Sequence, residues 1–425
     1  MRMRDCAASD GLNSARHVFH SVQASAAWVV TISTETDTIP SSEILLRIQN
    51  LRRTLQNAHL EGALLFSPQE SYYYSGLGID GAVFIPVEGE PIHLIKRSAA
   101  FGRAHSVILH VQEFGKQSRL FETLGIKPGA RIAVEGDLLP LSFVEFLQSK
   151  AKDVQLVDGG QVFRQLRALK SEFEIGLIER AARLIDRMFE FCKEVARPEM
   201  TEIELTSRLD SWLLQSGHDG FITTHAFNSA MLHYSYVVSS GAAALNTYFT
   251  PVSSIGLSLK YPYGPSRKKI GRASPFLVDA CGNCQGYISD TTRTFVCGRF
   301  DRAAHDQLDA LNHVRLFISR GLKSGTNLGQ LYGQVFELVN ELGIQEHFMG
   351  NGADRVSFIG HGVGLELDDL PVFHSGGPEL VAGNVLACEP KLIVPRKRVL
   401  GIEDTYVITQ SSCKQLSMAR DSYEI

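Results

Sequence analysis

Five side chains of metal-ligand type follow one another through the second half of the chain. They are Asp279 in FLVDACG, Asp290 in ISDTTRTF, His361 in FIGHGVG, Glu389 in ACEPKL and Glu403 in GIEDTYVIT. Four of the five are carboxylates on segments that read as buried strands. An ionised carboxylate among apolar residues is costly unless a positive group sits beside it. No lysine or arginine cluster is spaced to serve all four. Divalent metal is the simplest counter-charge, and a carboxylate-rich metal cluster is suited to hydrolysis.

The spacing predicts two hairpins that carry these residues. Asp279 and Asp290 are 11 positions apart, with Gly282-Asn283-Cys284-Gln285-Gly286 between them as a turn signal. A two-residue loop at Cys284-Gln285 sets Asp279 directly opposite Asp290, where like charges repel. Glu389 and Glu403 flank KLIVPRKRVLGI, and Pro395-Arg396-Lys397 reads as the turn of a second hairpin. Each hairpin then offers a carboxylate pair to one point. His361 lies between Gly360 and Gly362, where the backbone can bend closely around a ligand. Taken singly, each residue has a plainer explanation, as a turn or cap aspartate or a structural histidine. Two paired hairpins together with a glycine-bracketed histidine do not.

The ordered segments VDACGNCQGYISDTTRTF, GHGVGLELDDLP, CEPKL and GIEDTYVIT resemble the pita-bread metallopeptidases, which include methionine aminopeptidases, aminopeptidase P and prolidase. The resemblance spans roughly residues 170–415, and the N-terminal half resembles the smaller domain of prolidase- and creatinase-like members. It implies that Asp279 binds a first metal, that Asp290 and Glu403 bridge, and that His361 and Glu389 bind a second. Two divalent ions are expected, Mn²⁺ or Co²⁺ first, with Zn²⁺ or Fe²⁺ also suited to oxygen-rich ligation with one imidazole. Glu389 is the expected proton acceptor, with His361 beside it as the other catalytic residue. The implied reaction is hydrolysis of the N-terminal peptide bond of short peptides, with X-Pro peptides as candidate substrates. Two rival readings share the fold: a metal-free creatinase-like C–N hydrolase and a non-catalytic binding protein.

The chain departs from the family pattern at two places. Where relatives carry a second histidine, seven residues after the metal histidine, it has Asp368. A histidine that relatives place on a strand before the first ligand is either His233 in SAMLHYSYVV or absent, if SSGAAALNTYF is the matching segment. The second alignment fits the family's pattern better, and VSSIGLSLKYPYGPSRKKIGR then becomes an extra loop. Asp368 and His233 are the candidate substrate contacts, and both departures bear on X-Pro specificity more than on hydrolysis.

The remaining elements must position this set. A chain of 425 residues, 44% hydrophobic and 21% charged, has the make-up of a globular protein of two or three domains. A net charge of −4 with no basic stripe argues against nucleic acid as a partner. No apolar run reaches the ~18–20 residues needed to span a bilayer. Seven cysteines, an odd count, point to a reducing compartment, and a cytoplasmic homodimer acting on small peptides is expected. Cys281-Gly-Asn-Cys284 reads as a pair of incidental turn cysteines.

The fold class is α/β (α+β), a creatinase-like α/β domain followed by a pita-bread domain. Residues 1–38 read as a disordered extension or the product of a misassigned upstream start. The N-terminal domain covers 39–168 and opens with SSEILLRIQNLRRTLQNAHL, a helix with an N-capping serine. GALLFS, AVFIPV, PIHLIK and RIAVEG read as strands, and FGRAHSVIL and LSFVEFLQSK as helices. Tyr72, Tyr73 and Tyr74 are packing residues beside a turn. The catalytic domain covers 169–425 and begins with a long amphipathic helix. Further helices fit TEIELTSRLDSWLLQSG and RAAHDQLDALNHVRLFISRGL.

Overall fold

A computed structural model describes residues 38–151, 153–225, 234–239, 250–351 and 354–425. The first layered unit is built on six strands: β1 (Gly62–Leu65), β2 (Gly81–Pro86), β3 (Ile92–Ile95), β4 (His110–Glu113), β5 (Arg131–Val134) and β6 (Gln155–Asp158). They form one mixed sheet in the order β4-β3-β2-β1-β5-β6. Alternation along the strands sends side chains to two cores. Ala63, Leu65, Val83 and Ile85 meet Ile44, Ile48, Leu51 and Leu55 of the helix Ser41–Asn57. Leu64, Ala82 and Phe84 face the other way, toward Leu120, Phe121 and Leu147. Covered faces explain why these strands are apolar runs. The first helix is preceded by Pro40 with no side-chain cap, so the expected capping serine is instead its first residue. The helix expected over FGRAHSVIL spans Ala99–His105. The tyrosine triplet lies on a helix, Pro68–Ser75, with Tyr73 and Tyr74 buried.

The C-terminal part starts with the helix Glu172–Val195, whose capping box joins Ser171 and Glu174. With the helix Glu202–Gln215 it covers one face of a four-stranded sheet. That sheet contains β7 (Ser235–Ser239), β8 (Pro275–Cys284), β9 (Tyr287–Val296) and the late strand β17 (Ser422–Glu424), ordered β17-β9-β8-β7. Gly282 lets the long helix approach, since a Cβ there would stand 2.2 Å from the Ala181 carbonyl oxygen.

A second sheet contains β10 (Phe358–Gly362), β11 (Asp369–His374), β12 (Val385–Cys388), β15 (Asp404–Ile408) and β16 (Cys413–Gln415), in the order β11-β10-β12-β15-β16. The helices Arg302–Gly321 and Leu328–Glu341 bury Leu311, Val314, Ile318, Leu331, Val335 and Val339 against it. Between β12 and β15 the chain makes a separate ribbon, β13 (Lys391–Val394) with β14 (Arg398–Gly401). The sheets touch where the ligand-type residues lie. Asp290 N–H donates to Thr405 Oγ1 (3.1 Å), and the Thr405 hydroxyl donates to the Asp290 carbonyl (2.9 Å). Among the described residues no helix is long and apolar enough to cross a membrane.

Candidate metal centre

The β8–β9 hairpin turns one residue later than the sequence suggests. Cys284 pairs with Tyr287, so the loop is Gln285-Gly286, with φ of 51° and 80°. A two-residue hairpin loop of this kind needs left-handed backbone at both positions, and glycine at the second supplies it without strain. The register therefore sets Asp279 across from Thr292 and Asp290 across from Cys281. The two aspartates are diagonal neighbours on one face, not directly opposed. Cys281 belongs to the strand rather than to the turn, and its thiol donates to Asp290 Oδ1 (3.5 Å).

The second hairpin has the expected turn. Val394 pairs with Arg398 across Pro395-Arg396-Lys397, and Arg396 takes φ of 59°. Cys388 pairs with Asp404 and Lys391 with Gly401, so Glu389 and Glu403 face each other where the ribbon leaves the sheet. His361 comes from β10, opposite Ala387 of β12. Its flanking glycines serve close strand packing rather than a bend. A Cβ on Gly360 would lie 2.2 Å from the Ala387 oxygen, and one on Gly362 2.3 Å from the Leu370 oxygen. His361 Nδ1 sits 3.1 Å from the Gly362 carbonyl, and a proton held there leaves Nε2 as the ligand atom.

The fold thus brings all five residues together. Asp279, Asp290, Glu389 and Glu403 are all at most 6% exposed. Asp290, His361 and Glu403 each offer an atom, all within 4.8 Å of one another. His361 Nε2 is 3.8 Å from Asp290 Oδ2 and 3.7 Å from Glu389 Oε1. Glu403 Oε1 is buried with no hydrogen-bond partner, while Oε2 accepts from Thr292 Oγ1 (2.6 Å). One divalent ion fits these donors, since an orphaned carboxylate oxygen beside an imidazole and a second carboxylate is what such an ion requires.

The sequence offers no basic cluster spaced to serve all four carboxylates, yet a single lysine serves three of them. Lys391, 1% exposed, places Nζ 2.9 Å from Asp279 Oδ2, 2.7 Å from Glu389 Oε2 and 3.3 Å from Glu403 Oε2. Tyr236 also donates to Asp279 Oδ2 (2.7 Å). The signal was present in the chain. Lys391 lies two residues after Glu389, and in extended backbone such residues share a face.

The electrostatics follow from crowding. Burial, then the charges of Glu403 and Asp279, hold the Asp290 carboxyl well above its usual range. Burial raises Glu403 to about 8, against the opposing pull of Lys391. Burial alone would lower the Lys391 amine, but Asp279, Glu389 and Glu403 outweigh it and raise it.

Behind the cluster stands a buried cation pair. Arg293 donates to the Glu403 carbonyl (2.6 Å) and to Asp404 Oδ1 (2.6 Å), and Arg315 donates to Asp404 Oδ2 (2.9 Å).

Asp368 is half-buried. Its Oδ1 accepts the His225 N–H (2.7 Å), and its carbonyl accepts from Arg164 (2.7 Å). His225 itself bridges Glu366 (Nδ1, 3.2 Å) and Asp137 (Nε2, 2.8 Å). His233 and most of the segment SSGAAALNTYF lie outside the described residues.

The model of metallopeptidase family M24 matches residues 176–410, and that of the creatinase/prolidase N-terminal domain matches residues 47–169. The Xaa-Pro dipeptidase of Pyrococcus furiosus is 24% identical over 374 residues, covering 87% of this chain and 97% of its own length. The solved dipeptidase PepE from Mycobacterium ulcerans superimposes with a TM-score of 0.74 at 21% identity, over 91% of this chain and 99% of that one. The X-Pro aminopeptidase from Thermotoga maritima gives 0.73 at 21% identity, over 89% and 99%.

Proposed function

The chain belongs to metallopeptidase family M24, with a creatinase/prolidase N-terminal domain, and from that premise we propose that it hydrolyses the N-terminal peptide bond of short peptides, X-Pro peptides among them. The observation that carries this reading is the cluster of Asp290, His361 and Glu403, with the Glu403 Oε1 oxygen buried and unsatisfied. A divalent ion bound there polarises a carbonyl and makes water acidic near neutral pH. Mn²⁺ or Co²⁺ suits the donors best, with Zn²⁺ or Fe²⁺ as alternatives.

The chain's own groups do the rest. Glu389 has one oxygen, Oε2, held by Lys391, which leaves Oε1 on the His361 side to take the proton of an attacking water. Asp279 is fixed by Tyr236 and Lys391 and maintains that ion pair. An ionised Asp368 attracts a free substrate amino terminus, and the His225 N–H holds its carboxylate in place. Asp368 cannot donate to a developing oxyanion as a histidine would, so X-Pro turnover is expected to be weaker than in relatives with that histidine. His233 is assigned to substrate contact by sequence position alone.

We place the domain boundary near residue 168, where the helix Gly160–Ala168 ends before Ser171 caps the next. Cytoplasmic residence accords with the free thiols of Cys192, Cys281 and Cys388. A homodimer is assigned as well, and light scattering of the purified chain checks it.

The direct test is hydrolysis of X-Pro dipeptides, other dipeptides and longer peptides after loading with each metal. Glu389→Gln is expected to lose about 10²–10⁴ in turnover. Absence of cleavage with every metal overturns the reading.

A further inference from the structure

The five ligand-type residues suggest room for two ions, yet one of the two positions is already filled by the protein. Lys391 Nζ has three N–H donors, and three carboxylate oxygens, from Asp279, Glu389 and Glu403, lie within 3.3 Å of it. An ion bound to those oxygens would stand about 2.0–2.2 Å from each. That point falls inside the space of the ammonium group, so the two cations exclude each other.

The lysine is built in rather than left over. Its side chain is 2% exposed. Its cross-strand partner is Gly401, where a Cβ would lie 2.9 Å from Lys391 Cγ. A side chain at 401 would thus crowd the lysine stem. Tyr236, donating to the same Asp279 oxygen, completes the enclosure.

The remaining half of the cluster is free for metal. Asp290, His361 and Glu403 converge there, Glu389 Oε1 lies 3.7 Å from His361 Nε2, and Glu403 Oε1 has no partner. We propose that this is a single-ion centre, in which the Lys391 ammonium takes the place of the first metal and Asp279 serves the lysine instead of an ion. The inference rests on the metallopeptidase reading and narrows it: the ligands are Asp290, His361 and Glu403, with Glu389 Oε1 beside them as the proton acceptor.

The test counts ions in the full-length protein. The chain is stripped with a chelator, loaded with Mn²⁺ or Co²⁺, freed of excess metal and analysed by elemental analysis and titration calorimetry. The expected result is one ion per chain, with a single anomalous peak beside His361 in metal-soaked crystals. Two ions in the wild type overturn the inference and leave the peptidase reading intact. One ion without cleavage of any peptide leaves the inference standing and overturns the peptidase reading. No ion at all overturns both.

Lys391→Ala is expected to raise the count from one to two, and a count still at one means that the lysine is not what excludes the second ion. If Lys391→Ala fails to fold, Asp279→Asn serves. It is expected to hold one ion as the wild type does, whereas a two-metal ligand would lose one on substitution. His361→Ala is expected to hold none.

Discussion

At the scale of single residues, the groups behind the ligands matter as much as the ligands. Asp404 is fully buried between Arg293 and Arg315, and Arg293 also holds the Glu403 carbonyl. Burial opposes the Asp404 charge, but the two guanidinium groups prevail and keep its carboxyl below the usual range. Asp404→Asn leaves both cations undercompensated and loosens the backbone at Glu403. The expected outcome is a 10- to 100-fold loss of metal affinity, of the order seen when partners of metal ligands are removed, read by titration calorimetry.

His93 gives a second residue-scale expectation. It is buried between Ser71 Oγ (3.3 Å) and Ser106 Oγ (3.0 Å), and burial lowers its pKa from 6.5 to about 4. The folded state therefore resists protonation more than the unfolded chain does. Its contribution is present above pH 6.5 and is lost as pH falls from 6.5 toward 4, by roughly 3 kcal/mol at most. Melting temperature across that window should fall with pH in the wild type, and His93→Gln should flatten the slope. An unchanged slope removes His93 from the account.

At the scale of elements, the hairpin β8–β9 sets the ligand geometry through two loop residues. Gly286 has φ of 80°, and a Cβ there would lie 3.3 Å from Leu365 Cδ2. Gly286→Val is expected to cost about 1–2 kcal/mol, the penalty of left-handed backbone for an L side chain, visible as a lower urea midpoint. The same hairpin shows what could be read beforehand. Both hairpins and all five ligand-type residues were legible, because residue type and short spacing are local properties. The register was not, because shifting the loop from Cys284-Gln285 to Gln285-Gly286 depends on which backbone accepts positive φ. The strands β4 and β6 escaped notice because HVQE and QLVD are half-exposed edges without an apolar run. For Lys391 only the pairing with Glu389, two residues before it, was legible, and the pairing with Asp279 was not. Asp279 lies 112 positions away, and only the assembled sheets bring the two together.

At the scale of the molecule, the N-terminal layers are tied to the catalytic sheets by buried charge. Arg167 reaches Glu70, Glu366 and Asp369, and Lys170 donates to Asp369 (2.9 Å). Tyr72 reaches over to the Gln285 carbonyl (3.0 Å). The long burial of β1 to β3 and the sheets around the metal centre thus share one framework, and a ligand bound at the centre should be felt by the whole. Binding to the folded state adds RT ln(1 + [L]/Kd), about 2.7 kcal/mol at a hundredfold excess over Kd. Melting temperature is expected to drop in EDTA and return with Mn²⁺, and no change in either direction contradicts a bound ion. Lys391 has a further consequence, in the order of events during biosynthesis. A strand that arrives at the centre already carrying its own positive charge can close over Asp279 and Glu389 before any metal reaches the chain. Folding and metal loading then become separate steps. A cell short of metal would accumulate a closed, waiting protein rather than an unfolded one.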